Sequence, residues 1–286
     1  MARVCRVAGV SRSAACEQRR RHSTSEPTAP RVRRRPGPVG ALPDRELLQA
    51  IRHEIAESPF VGEGHKKICA RLRLRGICTS RKRVLRLMRE AGLLAPTPQV
   101  RKRSKRLHSG RITTDLPDEL WATDPTEAWT RQDGRCAVFA IVDHCTGEAW
   151  VDAAPRMDRF AAADLLREAI DDRFGSVEAG AAAGLKLRHD GGSCFRSGHY
   201  QAEIDHLGID RSPAFAYEPE TNGIVEKFIQ TLKEQVLWIE RFDTLDELRA
   251  RVRQFACDFN EQWLLERHRY RTPRQAREAL RQAAAA

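Results

Sequence analysis

From residue 44 to 92 the apolar residues recur every three or four positions, whereas from residue 120 they fall into short β-prone runs cut by turn residues. A chain with both periods must build two kinds of layer in succession, a helical cluster and then a sheet with its own helices. LWATDPTEAW, CAVFAIVDH and GEAWVDAA predict three strands, with the Asp-Gly of RQDGR between the first two, so an antiparallel meander is expected. RFAAADLLREAIDDRF then predicts an amphipathic helix, GLKLRHDGG a strand ending in a turn, SGHYQAEIDHLG a helix and IDRSP a short strand. NGIVEKFIQTLKEQVLWI predicts one long helix, and another runs from about Leu245 to Trp263. Together these elements make an α/β core over 115–265, a mixed sheet flanked by helices.

In the helical part, ELLQAIRHEI places Leu47, Leu48, Ile51 and Ile55 on one face behind Asp44, an N-cap candidate. HKKICARLRL predicts a second helix, RGICTS a turn, and RKRVLRLMREAG a third helix with Ser80 as its cap. Val84, Leu87 and Met88 form the buried stripe of that third helix, and Arg81, Lys82, Arg86 and Arg89 remain outside. Three short helices ending in a basic one fit a helix-turn-helix domain over 44–95, whose last helix would enter a DNA major groove. A structural hairpin carrying solvated arginines has the same pattern.

Charge divides the chain along the same line. Residues 1–110 hold 27 Lys and Arg against 8 Asp and Glu, a net +19, and the remainder holds 23 against 31, a net −8. A basic third of this size is the footprint expected for a polyanionic partner, most commonly nucleic acid. Residues 1–43, rich in Arg, Pro, Ser and Gly, read as a basic flexible segment; 96–114 reads as a basic linker that can track phosphates, and 266–286 as a basic C-terminal tail. No run approaches a membrane span and the Arg-rich start lacks a secretory apolar segment, so a cytoplasmic, nucleoid-associated protein is expected. The eight cysteines form no Cys-x-x-Cys pair and no tight Cys/His cluster, which points to reduced thiols packed as small apolar groups.

Three acidic residues stand out by position. Asp124 lies inside the first strand of the meander, Asp190 ends the later strand where open α/β sheets tend to place ligands, and Glu226 occupies the first turns of the long helix, with thirty-five residues between it and Asp190. Carboxylates gathered from separate elements can hold two divalent ions about 4 Å apart, the arrangement that phosphodiester chemistry requires to neutralise its attacking and leaving oxygens. At about 100° per residue, Lys233 falls some 20° from Glu226, beside the apolar stripe of Val225, Ile229, Leu232 and Val236. Geometry alone leaves a solvated helix face equally open.

The wording around these residues narrows the choice. PETNGIVEKFIQTLK resembles the third-carboxylate segment of DDE transposases and integrases of the retroviral-integrase superfamily, WATDPT resembles their first aspartate segment, and LRHDGGSCF followed by LGIDRSPAFAYEP their second. GHKKICARLRLRGICTSRKRVLRLMREAGL is similar to the helix-turn-helix ahead of the core in bacterial transposases of the third insertion-sequence family, RYRTPRQA to their ending, and CRVAGVSRSAAC to the start of their second reading frame. The resemblance implies a ribonuclease H-like catalytic core with Asp124, Asp190 and Glu226 as catalytic metal ligands for Mg²⁺ or Mn²⁺, two ions in all. It implies Lys233 as a DNA contact, DNA ends and target as partners, a homo-oligomeric synaptic complex and an upstream-frame fusion partner. Gly191 and Gly192 would turn the chain beside Asp190, and Asn222 with Gly223 would shape the entry to the helix. The sequence departs from the family in the Gly-Gly after Asp190 and the Lys after Glu226, and nothing matches the His-His-Cys-Cys module of retroviral integrases. Asp143, also on a strand, could crowd the site or serve a structural role. A ribonuclease H-like nuclease without strand transfer and a non-catalytic DNA-binding derivative remain as alternatives.

Overall fold

The protein is described by a computed structural model over residues 42–95, 114–212 and 222–284, with Ser11, Ser13 and Ala14 near the start. Nearly all of the expected flexible segment 1–43 and linker 96–114 lie outside the described residues, as does the segment 213–221.

The three expected helices are present as α1 (Asp44–Glu57), α2 (His65–Leu74) and α3 (Arg81–Glu90). Their apolar faces meet in a cluster of Leu47, Ile51, Ile68, Leu72, Val84, Leu87 and Met88. Ser80 caps α3 as expected, its Oγ accepting from Arg83 N at 3.2 Å. Asp44 does not cap α1: it is the first helical residue, and its carboxylate accepts instead from Arg83 Nε at 2.8 Å and Arg86 Nη2 at 2.6 Å, tying α1 to α3.

The meander follows as β1 (Leu120–Thr130), β2 (Gly134–Asp143) and β3 (Ala149–Ala154). After α4 (Arg159–Phe174), β4 (Lys186–Arg188) joins the other edge of β1, and after α5 (Gly198–His206) the two-residue β5 (Asp210–Arg211) completes the sheet. The order is β3-β2-β1-β4-β5, antiparallel across β3, β2 and β1 and parallel from β1 through β5. This is the mixed sheet of a ribonuclease H-like core. One face, with Trp121, Phe139 and Ile141, packs α4 and α5 residues such as Leu166 and Tyr200. The opposite face, with Ala122, Val138, Ala140 and Val151, packs α6 (Gly223–Leu232) and α7 (Leu245–Gln262) through Val225, Phe228, Leu232, Val252 and Phe255.

The single long helix expected from 222 to 239 is broken in register. After α6 the chain continues as one π-helical turn, Lys233–Leu237, in which Trp238 N reaches back to Lys233 O at 2.9 Å. A neighbour accounts for the extra residue: the Gln235 side chain accepts from Val61 N at 2.8 Å and donates to Val61 O at 2.9 Å, so the loop after α1 grips the turn. The grip is part of a wider contact within one compact unit that spans Leu42 onward. Phe60 inserts edge-on between Phe255 and Trp263, Arg71 donates to Gln262 O at 3.2 Å, and the Lys67 ammonium sits 2.8 Å from the centroid of the Trp263 ring and 3.7 Å from Glu63.

Burial pushes the Lys67 ammonium down to about 7, with Glu63 opposing the shift. The unfolded chain keeps that proton up to the ordinary lysine range, so between pH 7 and 10 it binds more protons than the folded one. Stability is therefore expected to rise with pH in that window, by at most about 1.4 kcal/mol per pH unit. Urea melts at pH 7 and 9 check this: the rise should be smaller by this component in Lys67→Met.

The segment read as a basic tail is folded. A 3₁₀ turn, Glu266–His268, leads into α8 (Pro273–Ala284), which places Arg277 against Asp118 at 2.6 Å, Asp143 at 3.3 Å and Glu148. Asp143 is fully buried at the end of β2, where it accepts from Thr146 N and Oγ1 at 3.1 and 2.5 Å, so its role is structural.

Candidate active site

Asp124 owes its accessibility to a short neighbour. β1 pairs with β2 from Trp121 to Thr130 but with β4 only from Leu120 to Ala122, so its other edge is open from Thr123 onward. Thr123 O points out of that edge and accepts from Asn222 Nδ2 at 3.3 Å. Pro125 faces the same way two residues later, where the missing N–H costs no ladder bond. Asp124 lies between them. By the alternation of a strand its side chain shares the face of Ala122 and Ala128, the face covered by α6 and α7.

Asp190 comes to the same level from the adjacent strand. Ala122 is level with Arg188 in the parallel ladder, and Asp124 and Asp190 each lie two residues further on. Gly191 has φ +74°, a left-handed turn that a side chain would strain, and Gly192 N donates to Asp190 Oδ1 at 2.9 Å. A Cβ at Gly192 would stand 3.1 Å from that oxygen, so both glycines serve the turn as the resemblance implied. The preceding His189 accepts from Gly191 N at 3.1 Å and stacks on Phe195 at 5.1 Å, and burial lowers its basicity, which keeps it a neutral buttress of the turn.

Glu226 projects from the first turn of α6, whose start is fastened to β1 by the Asn222–Thr123 bond. Three acidic side chains therefore converge from a strand, a turn and a helix. The consequence is electrostatic: burial, then Asp190, then Glu226 push the Asp124 carboxyl up to about 7, and Lys233 opposes them. Burial also raises the Glu226 carboxyl. The excess negative charge suits a divalent cation, and the oxygen-only donor set suits a hard one. Among the described residues no three Asp, Glu, His or Cys side chains close into a ready ligand cage. The trio shares one field, in which Asp190 and Glu226 both act on Asp124.

Lys233, the first residue of the π turn, lies within electrostatic reach of Asp124. The four cations proposed on α3 separate into two pairs. Arg86 is held by Asp44 and by Glu90 at 3.0 Å, and Arg81 stands 5.4 Å over the Tyr270 ring. Lys82 and Arg89 are exposed and form no ion pair among the described residues, so they are the freer contacts. At the helix entry, where the resemblance placed Asn222, the structure adds the bond to Thr123 O. The Gln235 grip escaped sequence reading, and nothing local signals it.

The HTH-like domain family matches residues 43–103, and integrase core domain families match 115–219 and 207–273. Transposase InsD for insertion element IS2A/D/F/H/I/K of Escherichia coli is 29% identical over 203 residues, covering 68% of this chain. The match spans 66% of that relative's own length, just under two thirds, and the InsD of IS2 on the F plasmid of strain K12 matches equally. Among solved structures, the simian T-cell lymphotropic virus intasome in complex with PP2A regulatory subunit B56 gamma aligns with TM-score 0.47 and 18% identity, over 80% of this chain and 73% of that one. The catalytic core domain of BIV integrase aligns with TM-score 0.44 and 18% identity, over 59% of this chain and 99% of that one.

Proposed function

Because this chain belongs to the integrase core-domain family, with an HTH-like domain ahead of the core and transposases among its relatives, we propose that it is a metal-dependent DNA transposase. In this reading it cuts at mobile-element ends and joins the freed 3′-hydroxyl to target DNA through the DDE carboxylates. The observation that carries the reading is the convergence of Asp124, Asp190 and Glu226 at the open edge of β1, where burial, and then the charges of Asp190 and Glu226, push the Asp124 carboxyl up to about 7.

Asp124, Asp190 and Glu226 would hold two Mg²⁺ or Mn²⁺ ions, with the substrate phosphate adding its own oxygens. When bound, such ions supply charge neutralisation and Lewis acidity to in-line displacement at phosphorus. The chain's own residues do the rest. Asp124 gives up its proton as the site loads, Gly192 N fixes the orientation of one Asp190 oxygen, and Asn222 sets the height of Glu226 against β1. Lys233 offers a cation to a phosphate beside the carboxylates. No serine or tyrosine nucleophile is needed, so no covalent protein–DNA intermediate forms.

The basic helical domain would hold DNA through Lys82 and Arg89, with Arg81 and Arg86 recruited if their present partners release them. Joining two ends calls for a synaptic homo-oligomer, and the resemblance to a second-frame product adds an upstream-frame transposase protein as fusion partner. No helix among the described residues is long and apolar enough to cross a membrane; the site of action proposed is the nucleoid.

The test is a joining assay with labelled end DNA and plasmid target in Mg²⁺ or Mn²⁺. Joined product is expected from the wild type and none from Asp190→Asn. Cleavage without joining would favour the hydrolytic nuclease, and activity unchanged in Asp190→Asn would sink the carboxylate mechanism.

A further inference from the structure

The ladder between β4 and β1 ends at Arg188, and among the described residues no backbone–backbone hydrogen bond holds His189, Asp190 or Gly191 to a neighbouring strand. Asp190 therefore sits on a short unpaired stretch, where side chains must fix its place. Two bonds of one kind do so. His189 Nδ1 accepts from Gly191 N at 3.1 Å and Asp190 Oδ1 accepts from Gly192 N at 2.9 Å, each reaching two residues along the chain. This is the turn that Asn and Asp side chains form with the backbone two residues on, made twice in succession. The second bond uses an oxygen of Asp190 itself; the first fixes the chain around Asp190 without drawing on its carboxylate.

The histidine acceptor is in turn fixed by the core. Its ring stacks on Phe195 at 5.1 Å and 29° and meets Tyr200 edge-on at 6.4 Å and 80°, and both neighbours are fully buried. Phe195 packs edge-on against Phe139 of β2 at 6.4 Å, and its carbonyl accepts from Gln201 Nε2 of α5 at 2.7 Å. The chain reaches Phe195 by folding back over Gly192, whose carbonyl accepts from Phe195 N and Arg196 N at 3.1 Å each. A path of direct contacts thus runs from β2 and α5, through Phe195 and the His189 ring, to Gly191 N, one residue past Asp190.

We propose that His189 is a positioning residue for Asp190: its Nδ1, anchored by the aromatic cluster, holds Gly191 N and so presents the Asp190 carboxylate to the metal ions in one orientation. His189 itself touches neither metal nor DNA; it acts through the Gly191 amide. The bond matters because Gly191, at φ +74°, has left- and right-handed conformations about equally open to it in an unpaired turn. Losing a group that orients a metal ligand typically weakens metal binding roughly 10–100-fold. The inference rests on the reading of Asp190 as a metal ligand.

Two substitutions separate the acceptor from the ring. His189→Asn keeps an acceptor bonded to Cγ, where Nδ1 stands, and loses the stacked ring; His189→Phe keeps the ring and loses the acceptor. The full-length proteins are melted without metal, then titrated with Mn²⁺ alone at a temperature where all are folded. His189→Phe is expected to melt closer to the wild type yet to bind Mn²⁺ roughly 10–100-fold more weakly. His189→Asn is expected to melt lower and to stay within a few-fold of the wild-type affinity. Amide hydrogen exchange at Gly191 in the metal-free proteins should follow the affinities, faster in His189→Phe than in His189→Asn. A ring that serves packing alone gives the opposite order, so Mn²⁺ affinities that follow the melting order, or that fail to separate the two variants, overturn the proposal. A wild type that binds no Mn²⁺ fails the carboxylate reading first, and this inference falls with it.

Discussion

Glu226→Gln is expected to lower both end cleavage and joining by a factor on the order of 10²–10³ or more, with DNA affinity nearly unchanged. The substitution keeps the shape of the side chain and its place in the first turn of α6, which is fixed by Val225, Phe228 and Ile229 packing against the sheet and not by Glu226 itself. What it removes is a negative charge that contributes to lifting the Asp124 carboxyl. Two consequences distinguish loss of a ligand from loss of structure. The variant without metal should melt no lower than the wild type at neutral pH, because one repulsion has been relieved. Asp124 should also titrate lower in it, moving toward the ordinary carboxylate range. The sign follows from proton counting: a carboxyl raised in the folded state keeps its proton where the unfolded chain has lost it, so stability from that source falls as pH rises from about 4 to 7. That fall should be shallower in Glu226→Gln. A melting curve at pH 5 and 7.5 beside a gel-shift and a cleavage assay reads all three quantities.

Arg277→Ala is expected to destabilise the protein by about 3–5 kcal/mol, the range for removing one partner from a buried ionic cluster. Arg277 is 7% exposed and stands among Asp118, Asp143 and Glu148, whose side chains are 14%, 0% and 9% exposed. Burial works to raise the Asp118 carboxyl, yet Arg173 and Arg277 together hold it below its usual range. Asp143 is raised by burial, with Thr146 and Arg277 opposing the shift. Without the guanidinium, Asp143 loses the counter-charge that opposes its burial, and the cheapest remedy is its protonation. The loss should therefore be smaller at pH 5 than at pH 8, a pH dependence that simple loss of packing at this position would not produce. Guanidinium chloride melts of both proteins at the two pH values measure it.

The same cluster shows where sequence reading stops. The charged residues of RHRYRTPRQAREAL all read as solvated, and an arginine that will be buried is indistinguishable in sequence from one that will not. Arg277 is buried because β1's entry and the β2–β3 turn present three carboxylates to α8, a relation between positions 118, 143, 148 and 277 that no local period encodes. The π turn at Lys233–Leu237 is hidden for the same reason: KEQVL continues the helical pattern, and the register change goes with a grip from Val61, 174 residues away. Elements set by their own period were legible. RFAAADLLREAIDDRF forms α4 over the expected residues, and the meander appears where alternating runs and an Asp-Gly turn announced it.

The candidate site sits between these cases. Each carboxylate could be placed on its element from sequence, yet a helix with Glu226 and Lys233 on one side reads equally well as solvated. The structure adds the reasons they converge: a β4 of three residues that leaves β1 open beyond Ala122, a left-handed Gly191 that turns Asp190 back, and an Asn222 bond that anchors α6 at Thr123. The shortness of β4 follows from HDGG, which cannot extend a strand once Arg188 is passed. Asp44 went from expected cap to ion-pair partner because Arg83 and Arg86 stand one helix away, again a contact that only the packed domain creates.

The most direct measurement of the central claim is a calorimetric titration of the full-length protein with Mn²⁺ at pH 6 and 7.5, for the wild type and for Asp124→Asn, Asp190→Asn and Glu226→Gln. Mn²⁺ should bind the wild type more tightly at pH 7.5, releasing more protons at pH 6 where Asp124 is still protonated, and each substitution should weaken binding strongly. Binding that is equally tight in all four proteins, with no proton release, would contradict a metal site built from these three carboxylates.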